Sequence, residues 1–439
     1  MKIIGLAFFL KKDAARGRMR PEARSVRAAS IGLVPVIALS SLLLMAGAKE
    51  VTARFLPFPA WVGTWSASPQ PPDTSLTPTP EFNNQTLRLI LHTTIGGNQL
   101  RIRISNAFGT QPLLIGDAHV AISGTASAIV PGTDHPLTFG GQGSVTIPTG
   151  AVVLSDPVNF SVTPLANLAV SLYLPNDTAT TTLTEHIFAE QISYVSGPGD
   201  FSGSTSLANS TPTYSWFFLT DVEVTSPLPA SVVVLGDSIS DGFGSTIGAN
   251  NRWPDLLAAR LYNLFPFFPL SLVNQGIAGN RLLTDVTGPN ASARFDRDVL
   301  SQPGVQNVIL EEGLNDIGAA VIVPSEAVTA DQIIAGLNQL IQRAHDQGLK
   351  VIGVTLTPFA GSFYYTASGE TERQTVNQFI RTSGAYDGVF DFDQVVSDPN
   401  NPRQILAAYD SGDHLHPNDA GYQAIANSIN LFQLFNLGW

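Results

Sequence analysis

The sequence predicts an all-β sandwich or jelly roll followed by an α/β domain whose parallel sheet is covered on both faces. Three observations carry this prediction. Between Trp61 and Thr225, short stretches alternate polar and apolar residues and are separated by turn residues. After Ser226-Pro227-Leu228-Pro229 the rhythm changes to continuous apolar runs divided by segments with apolar residues at helical spacing. Charged residues are only 13% of the 439 positions, against 38 Gly and 30 Pro, a balance that suits many turns and much β structure.

The N-terminus reads as a targeting segment. Lys2, Lys11, Lys12, Arg16, Arg18, Arg20, Arg24 and Arg27 stand against Asp13 and Glu22, and Ile31 to Met45 is apolar before Ala46-Gly47-Ala48. A basic region, an apolar region and small residues in that order describe a secretory signal over 1–48, with Met19 as an alternative start. A retained anchor is the other reading, but the run of about 15 residues falls short of the ~20 a spanning helix needs. Removing the eight basic and two acidic residues of 1–48 leaves 15 Lys+Arg against 33 Asp+Glu, a net charge of -18. Such a surface stays soluble and repels nucleic acid, and no basic patch argues otherwise. The expected location is extracytoplasmic, secreted or periplasmic, without stable membrane insertion after cleavage. There is no cysteine, which excludes disulfides, cysteine metal sites and a thiol nucleophile. A chain this long folds without such staples.

The β domain is expected over 60–226. Thr86 to Leu91 (TLRLIL) and Leu100 to Ser105 (LRIRIS) alternate cleanly, and Ser144 to Ile147, Leu168 to Leu174 and Trp216 to Val224 follow. Gly96-Gly97, Gly140-Gly141 and Pro175-Asn176-Asp177 mark turns between them. No segment there has helical periodicity, and no internal repeat is visible.

The α/β domain is expected over 230–439. Its strands are Val232 to Leu235, Leu270 to Val273, Val308 to Leu310, Val351 to Leu356 and Val389 to Phe392. Between them lie two apolar stripes: Trp253, Leu256, Leu257, Leu261 and Leu264, then Ile333, Ile334, Leu337, Leu340, Ile341 and Ala344. Asn418 to Phe435 reads as a closing helix with Asp419 in its first turn. Strands buried on both faces and separated by helices make a parallel sheet.

In such a sheet, ligands bind beyond the carboxyl ends of the strands, at the switch in strand order. Beyond the first strand comes Gly236-Asp237-Ser238. Beyond the second comes Asn274-Gln275-Gly276-Ile277-Ala278-Gly279-Asn280, and beyond the third Gly313-Leu314-Asn315-Asp316. Beyond the fifth, further on, comes Asp413-His414-Leu415-His416-Pro417-Asn418. With strand order 2-1-3-4-5, Gly279 and Asn315 flank Ser238. These residue types suit acyl transfer. A serine hydroxyl needs a base; His416 supplies one, and Asp413, three residues earlier, can fix its tautomer. The Ser238 and Gly279 N–H groups and the Asn315 amide offer three donors to a tetrahedral oxyanion.

Each signal alone has a plainer reading. Gly-Asp-Ser and Gly279 suit turns, and Asn315-Asp316 suits a helix cap. Asp413-His414-Leu415-His416 has the His-x-His-plus-carboxylate pattern of a metal site, but no further histidine cluster supplies a third ligand. His414 reads as a neighbour of the base. His92, His119, His135, His186 and His345 are isolated and read as structural or surface residues. Phe265, Phe267, Phe268, Phe363, Tyr364 and Tyr365 read first as packing aromatics and second as the wall of an acyl pocket. The ordered set, each member after a strand of one domain, is the specific signal.

GDS, Gly279, GLND and DHLH in this order resemble the SGNH, or GDSL, hydrolases, over Val232 to about Asn430. The resemblance implies a three-layer flavodoxin-like sheet. It also implies Ser238 as nucleophile, Gly279 and Asn315 as oxyanion donors with the Ser238 amide, and Asp413 and His416 as the rest of a triad, with no cofactor or metal. VGTWSASP at 62–69, SNAFG at 105–109, RWPDLL at 252–257, ARFDRDVL at 293–300 and YDSGDHLHPNDAGY at 409–422 further resemble a secreted two-domain subgroup. That subgroup is similar to arylesterases or acylhydrolases encoded beside xylan-degrading enzymes. The expected function is secreted hydrolysis of short-chain acyl or acetyl esters, small or polysaccharide-linked, through an acyl-enzyme. The alternatives are a lysophospholipase or lipase, an acyltransferase, and a polysaccharide-binding protein with a vestigial α/β domain.

Overall fold

The computed structural model describes residues 60–436 apart from Thr77, Pro78 and Pro229. The expected signal over 1–48 lies outside them. All described residues belong to one compact unit.

The β half holds two principal antiparallel sheets. One is built on β1 (Ala60–Ser66), β3 (Gly97–Ser105) and β7 (Leu219–Ser226), ordered β1-β7-β3 and extended by the short strands Val152–Leu154 and Val158–Val162. In the other, β6 (Ser193–Pro198), β2 (Gln85–His92), β5 (Asn167–Leu174) and β4 (Asp117–Ile122) lie side by side in that order. Period-2 patterning decides the inward faces. Leu87, Leu89 and Leu91 share one buried cluster with Leu168, Val170 and Leu172 from their own sheet and with Leu100, Ile102, Ile104, Val222 and Val224 from the other. The predicted strand Trp216 to Val224 is broken in two at Phe218, which has a left-handed backbone (φ 63°).

The α/β half is a five-stranded parallel sheet ordered β9-β8-β10-β11-β12, with β8 Ser231–Gly236, β9 Ser271–Gly276, β10 Val305–Glu311, β11 Lys350–Val354 and β12 Gly388–Phe390. In chain order this is 2-1-3-4-5, the order that puts the first strand between the second and third. Val232, Val233, Val234 and Leu235 are all buried because helices cover both faces.

Those helices are α2 (Trp253–Leu264), α5 (Ala330–Asp346), α6 (Ala367–Thr382) and α7 (Asp419–Ser428). A capping box between Thr329 and Gln332 starts α5, which buries Ile333, Leu337, Leu340, Ile341 and Ala344 as the stripe predicts. In α2 the stripe ends early: Leu264 is exposed. The single closing helix expected from 418 to 435 is two, α7 and α8 (Leu431–Asn436), separated at Ile429-Asn430, where Ile429 is extended.

Sheet meets sheet where β1 runs beside β9. The Ser271 hydroxyl donates to the Gly63 carbonyl, and the Ser66 hydroxyl donates to the Asn274 carbonyl at 3.1 Å. A cavity of about 500 Å³ lies between the halves, lined by Arg103, Asp221, Gln275 and Asp298 among others. It holds no paired nucleophile and base.

Candidate active site

Strand β8 ends at Gly236, in parallel register with Gly276 of β9 and Glu311 of β10. Ser238 follows two residues later, Gly279 three and Asn315 four, so three loops emerge side by side from one edge of the sheet. Asp237 turns the chain by capping α1 (Ser238–Asp241): its Oδ1 accepts from the Ile239 amide at 2.9 Å. Ser238 is therefore the first residue of a helical turn, where backbone N–H groups lack intrahelical partners. The turn packs tightly on β9; a Cβ on Gly276 would lie 2.5 Å from the Asp241 nitrogen.

His416 Nε2 stands 2.8 Å from Ser238 Oγ. On the other side, His416 Nδ1 donates to Asp413 Oδ2 at 2.6 Å. That bond places the neutral ring's proton on Nδ1 and leaves Nε2 as acceptor for the serine proton. Asp413 is itself held: its Oδ1 accepts from the Leu415 and His416 amides, both at 2.9 Å, and from the Ser411 hydroxyl at 3.0 Å. Partial burial alone would raise this carboxyl. The His416 hydrogen bond and charge, with the two amides, hold it well below the ordinary carboxylate range instead. The Phe243 ring lies 4.7 Å from the imidazole and limits its swing.

The five residues singled out in the sequence, Ser238, Gly279, Asn315, Asp413 and His416, line one cleft of about 750 Å³. Gly279 has φ +79°, a conformation that favours glycine. The Asn315 amide nitrogen donates to Asp237 Oδ2 at 3.1 Å and to the Asn280 carbonyl at 2.9 Å, so it is fixed from below by the loop after β8 and the loop after β9. Asp316 braces the same loop, accepting from the Leu282 and Leu283 amides at 2.7 and 3.0 Å.

His414 does not converge with His416. It adopts φ 63° and pairs with Asp410 at 2.5 Å, its side chain half-exposed. Among the described residues, no group of three or more His, Cys, Asp or Glu is arranged to hold a metal ion. Of the aromatics named above, Phe363 and Tyr364 line the cleft. Phe265 and Phe268 instead border a small hollow beside α2 with Leu261 and Tyr262, and Phe267 is almost fully exposed.

Three groups escaped the sequence reading. Glu311 and Glu312, at the end of β10, are buried beneath the site, where burial pushes both well above the usual carboxylate range. Glu311 accepts from the Ser240 hydroxyl at 2.8 Å. An acidic pair ending an apolar strand, in a chain so poor in charge, was the available signal. The second group, Arg281 with Glu326 at 2.5 Å, lines the cleft. The third comes from the β half: Asp73, Ser75, Leu76 and Phe188 form part of the same wall, and nothing local in the sequence marks them.

Residues 234–424 match the GDSL-like Lipase/Acylhydrolase family. No curated protein matches the chain. Among solved structures the chain is similar to a catalytic mutant of an acetylxylan esterase from Geobacillus stearothermophilus, 21% identical over 46% of this chain and 92% of that one, with a TM-score of 0.36. It is also similar to a GDSL-like lipase from Bacteroides thetaiotaomicron (18% identical, 48% of this chain and 90% of that one, TM-score 0.36). A third is an alpha/beta hydrolase enzyme from the metagenome of Lake Arreo, Spain (24%, 48% and 98%, TM-score 0.37). The loops that bring a serine, a histidine and an asparagine to one edge of the sheet thus fall inside the matched stretch, and the chain is an ester hydrolase whose residues 234–424 match the GDSL-like Lipase/Acylhydrolase family.

Proposed function

We propose that this protein is an exported serine esterase that cleaves short-chain acyl esters, acetyl groups on polysaccharide among them, through an acyl-enzyme on Ser238. The observation that carries the reading is the unbroken chain of hydrogen bonds Asp413–His416–Ser238, at 2.6 and 2.8 Å, opening into a cleft. As Ser238 Oγ attacks the ester carbonyl carbon, its proton passes to His416 Nε2, and the imidazolium is stabilised by Asp413. The negative charge that develops on the carbonyl oxygen is received by the Ser238 and Gly279 amides, and by Asn315 when one of its N–H groups turns from Asp237 or the Asn280 carbonyl to the oxyanion. Collapse expels the alcohol, protonated by His416. Water activated by the same histidine then releases the acid and restores Ser238. The amino-terminal segment 1–48 acts as the export signal.

The acyl length follows from the wall. A long chain has to cross Asp73, Arg281, Asp285 and Glu326, which line the cleft, and burying apolar carbon against such groups gains little. A short acyl group stays near Ala278 and Phe243. One observation favours a second reading, a lipase or lysophospholipase: Leu76, Ile322 and Phe363 are exposed apolar side chains on the cleft rim and offer a surface to a longer chain.

A p-nitrophenyl ester series from acetate to palmitate separates the two. Turnover is expected to peak at short chains and to vanish in Ser238→Ala. A maximum at long chains transfers the assignment to the lipase reading, and wild-type turnover in Ser238→Ala removes Ser238 as nucleophile. Release of acetate from acetylated xylan tests the polysaccharide, and amino-terminal sequencing of exported protein tests the signal.

A further inference from the structure

Ester hydrolysis by Ser238 and His416 leaves two sequence motifs without a task, VGTWSASP at 62–69 and ARFDRDVL at 293–300. They meet beneath the site. Arg294, from the second motif, has a fully buried guanidinium. Its Nε donates to Asn280 Oδ1 at 3.0 Å, and its Nη1 donates to the Gln275 carbonyl at 2.6 Å. Its Nη2 donates to the Gly236 carbonyl at 3.0 Å and to Glu312 Oε1 at 3.2 Å. One planar group thus touches the ends of β8 and β9, the Asn280 turn, and the loop that leads to Asn315. The Asn280 carbonyl in turn receives the Asn315 amide.

Arg294 is aimed by Asp298, 3.2 Å from Nη1, and Asp298 accepts the hydroxyl proton of Ser68. Ser68 belongs to the β half and is completely buried. Its backbone carbonyl accepts from His186 Nδ1 at 3.0 Å, also in the β half. His186 Nε2 meets Asp241 Oδ1 at 3.0 Å, and Asp241 Oδ2 accepts from the Ala278 amide at 2.9 Å. Ala278 directly precedes Gly279. Two relays therefore run from Ser68, one to each side of the turn that carries Gly279.

We propose that the β half is a positioning part of the catalytic centre: Ser68 and His186 reach across from it to fix Asp298–Arg294 and Asp241, and through them the 278–280 turn and Asn315. The proposal rests on the esterase reading above. Ser68 and His186 touch no substrate; they act through the groups they hold. A displacement of about 1 Å in such a frame can lower a rate by ~10²-fold, so a partial loosening is expected to lower it by roughly tenfold.

The test uses the full chain with Ser68→Ala, which cuts only the Arg294 relay, His186→Phe, which cuts the Asp241 relay, and His186→Gln, which keeps a donor towards Asp241. With p-nitrophenyl acetate, well below each variant's own Tm, Ser68→Ala and His186→Phe are expected to lower kcat about tenfold with KM within about twofold, and His186→Gln to recover part of the loss. Amide hydrogen exchange in the peptide spanning 278–280 is expected to quicken about tenfold in His186→Phe. The result that overturns the proposal is a lowered Tm with kcat within twofold of wild type and unchanged exchange, which makes the β half a cover only. If His186→Phe does not fold, Ser68→Ala decides by the same readouts. Exchange requires no turnover, so it reports on the relays even if Ser238→Ala shows that hydrolysis runs elsewhere.

Discussion

Replacing Asp413 by Asn probes the base directly, because the substitution changes a charge and a tautomer while keeping the shape. In the wild-type turn, Asp413 Oδ1 is claimed by two amides and the Ser411 hydroxyl. An asparagine keeps its carbonyl oxygen there, which turns its NH₂ towards His416 Nδ1. A donor then faces a donor, and the imidazole must move its proton to Nε2, where it blocks acceptance of the serine proton. The mismatch costs about 1–3 kcal/mol. The carboxylate's attraction for the imidazolium is also lost, about 4 kcal/mol at ~4 Å and an effective dielectric near 20. Asp413 has a side chain 40% exposed, and solvent screening roughly halves that figure to about 2 kcal/mol. Together these come to about 4 kcal/mol, or ~10³ in rate. Asp413→Asn is expected to lower kcat on p-nitrophenyl acetate near pH 8 by ~10³-fold with KM little changed. Adding it to Ser238→Ala is expected to lower the rate no further. A kcat within tenfold of wild type refutes the assignment of Asp413 as the group that orients His416.

Buried carboxyls give the folded state an acid bias: burial pushes Asp221 and Glu185 up to about 7 and Asp237 and Asp316 up to about 6. The folded chain binds these protons more tightly than the unfolded chain, so the stability they contribute is complete below about pH 4 and is lost as pH rises through 6–7. Calorimetry is expected to show Tm falling from pH 5 to pH 8, and a rise over that range contradicts the sign. Gly279→Ala places a Cβ 2.8 Å from Thr287 Oγ1 on a backbone with φ +79°; the strain is expected to cost about 1–2 kcal/mol. Urea unfolding measures it, and Gly279→Ala/Thr287→Ala should recover only the steric share, leaving the backbone strain.

The fold, and the convergence of the candidate site residues on one cleft, were legible for a local reason. A strand buried on both faces is a continuous apolar run, and the polar residue that ends it marks the carboxyl edge where ligands bind. Ser238, Gly279 and Asn315 each follow such a run, and Asp413 and His416 are three residues apart. Helix α6 was not legible, because the stripe rule counts only apolar residues. Its buried face carries Gly369, Glu370, Arg373 and Asn377 beside Val376 and Ile380. Arg373 replaces apolar contact with hydrogen bonds to Glu370, Asp393 and the Leu356 carbonyl. The fifth strand is shorter than its apolar run for a related reason: Phe392 is as apolar as Phe390, but Asp391 between them caps a short helix, Phe392–Val396.

What holds the site was illegible because its partners are far apart in sequence. Ser68 and Arg294 are 226 residues apart, and His186 and Asp241 are 55 apart; no periodicity relates them. Composition did carry a hint. In a chain with so little charge, each buried ion needs a partner, since removing one member of a buried pair leaves the other uncompensated at a cost of about 3–5 kcal/mol. Arg294, Asp298, His186 and Asp241 are all buried; Arg294 pairs with Asp298, and His186 pairs with Asp241 across the two halves. A sheet edge that presents three loops to a carbonyl oxygen needs them held to fractions of an ångström. Apolar packing is nondirectional and does not set loop ends to that tolerance. A planar guanidinium with five fixed donors does, and it requires a second layer of groups to orient it. Part of that layer, Ser68, is in the β half, so the reacting geometry and the contact between halves are one structural problem.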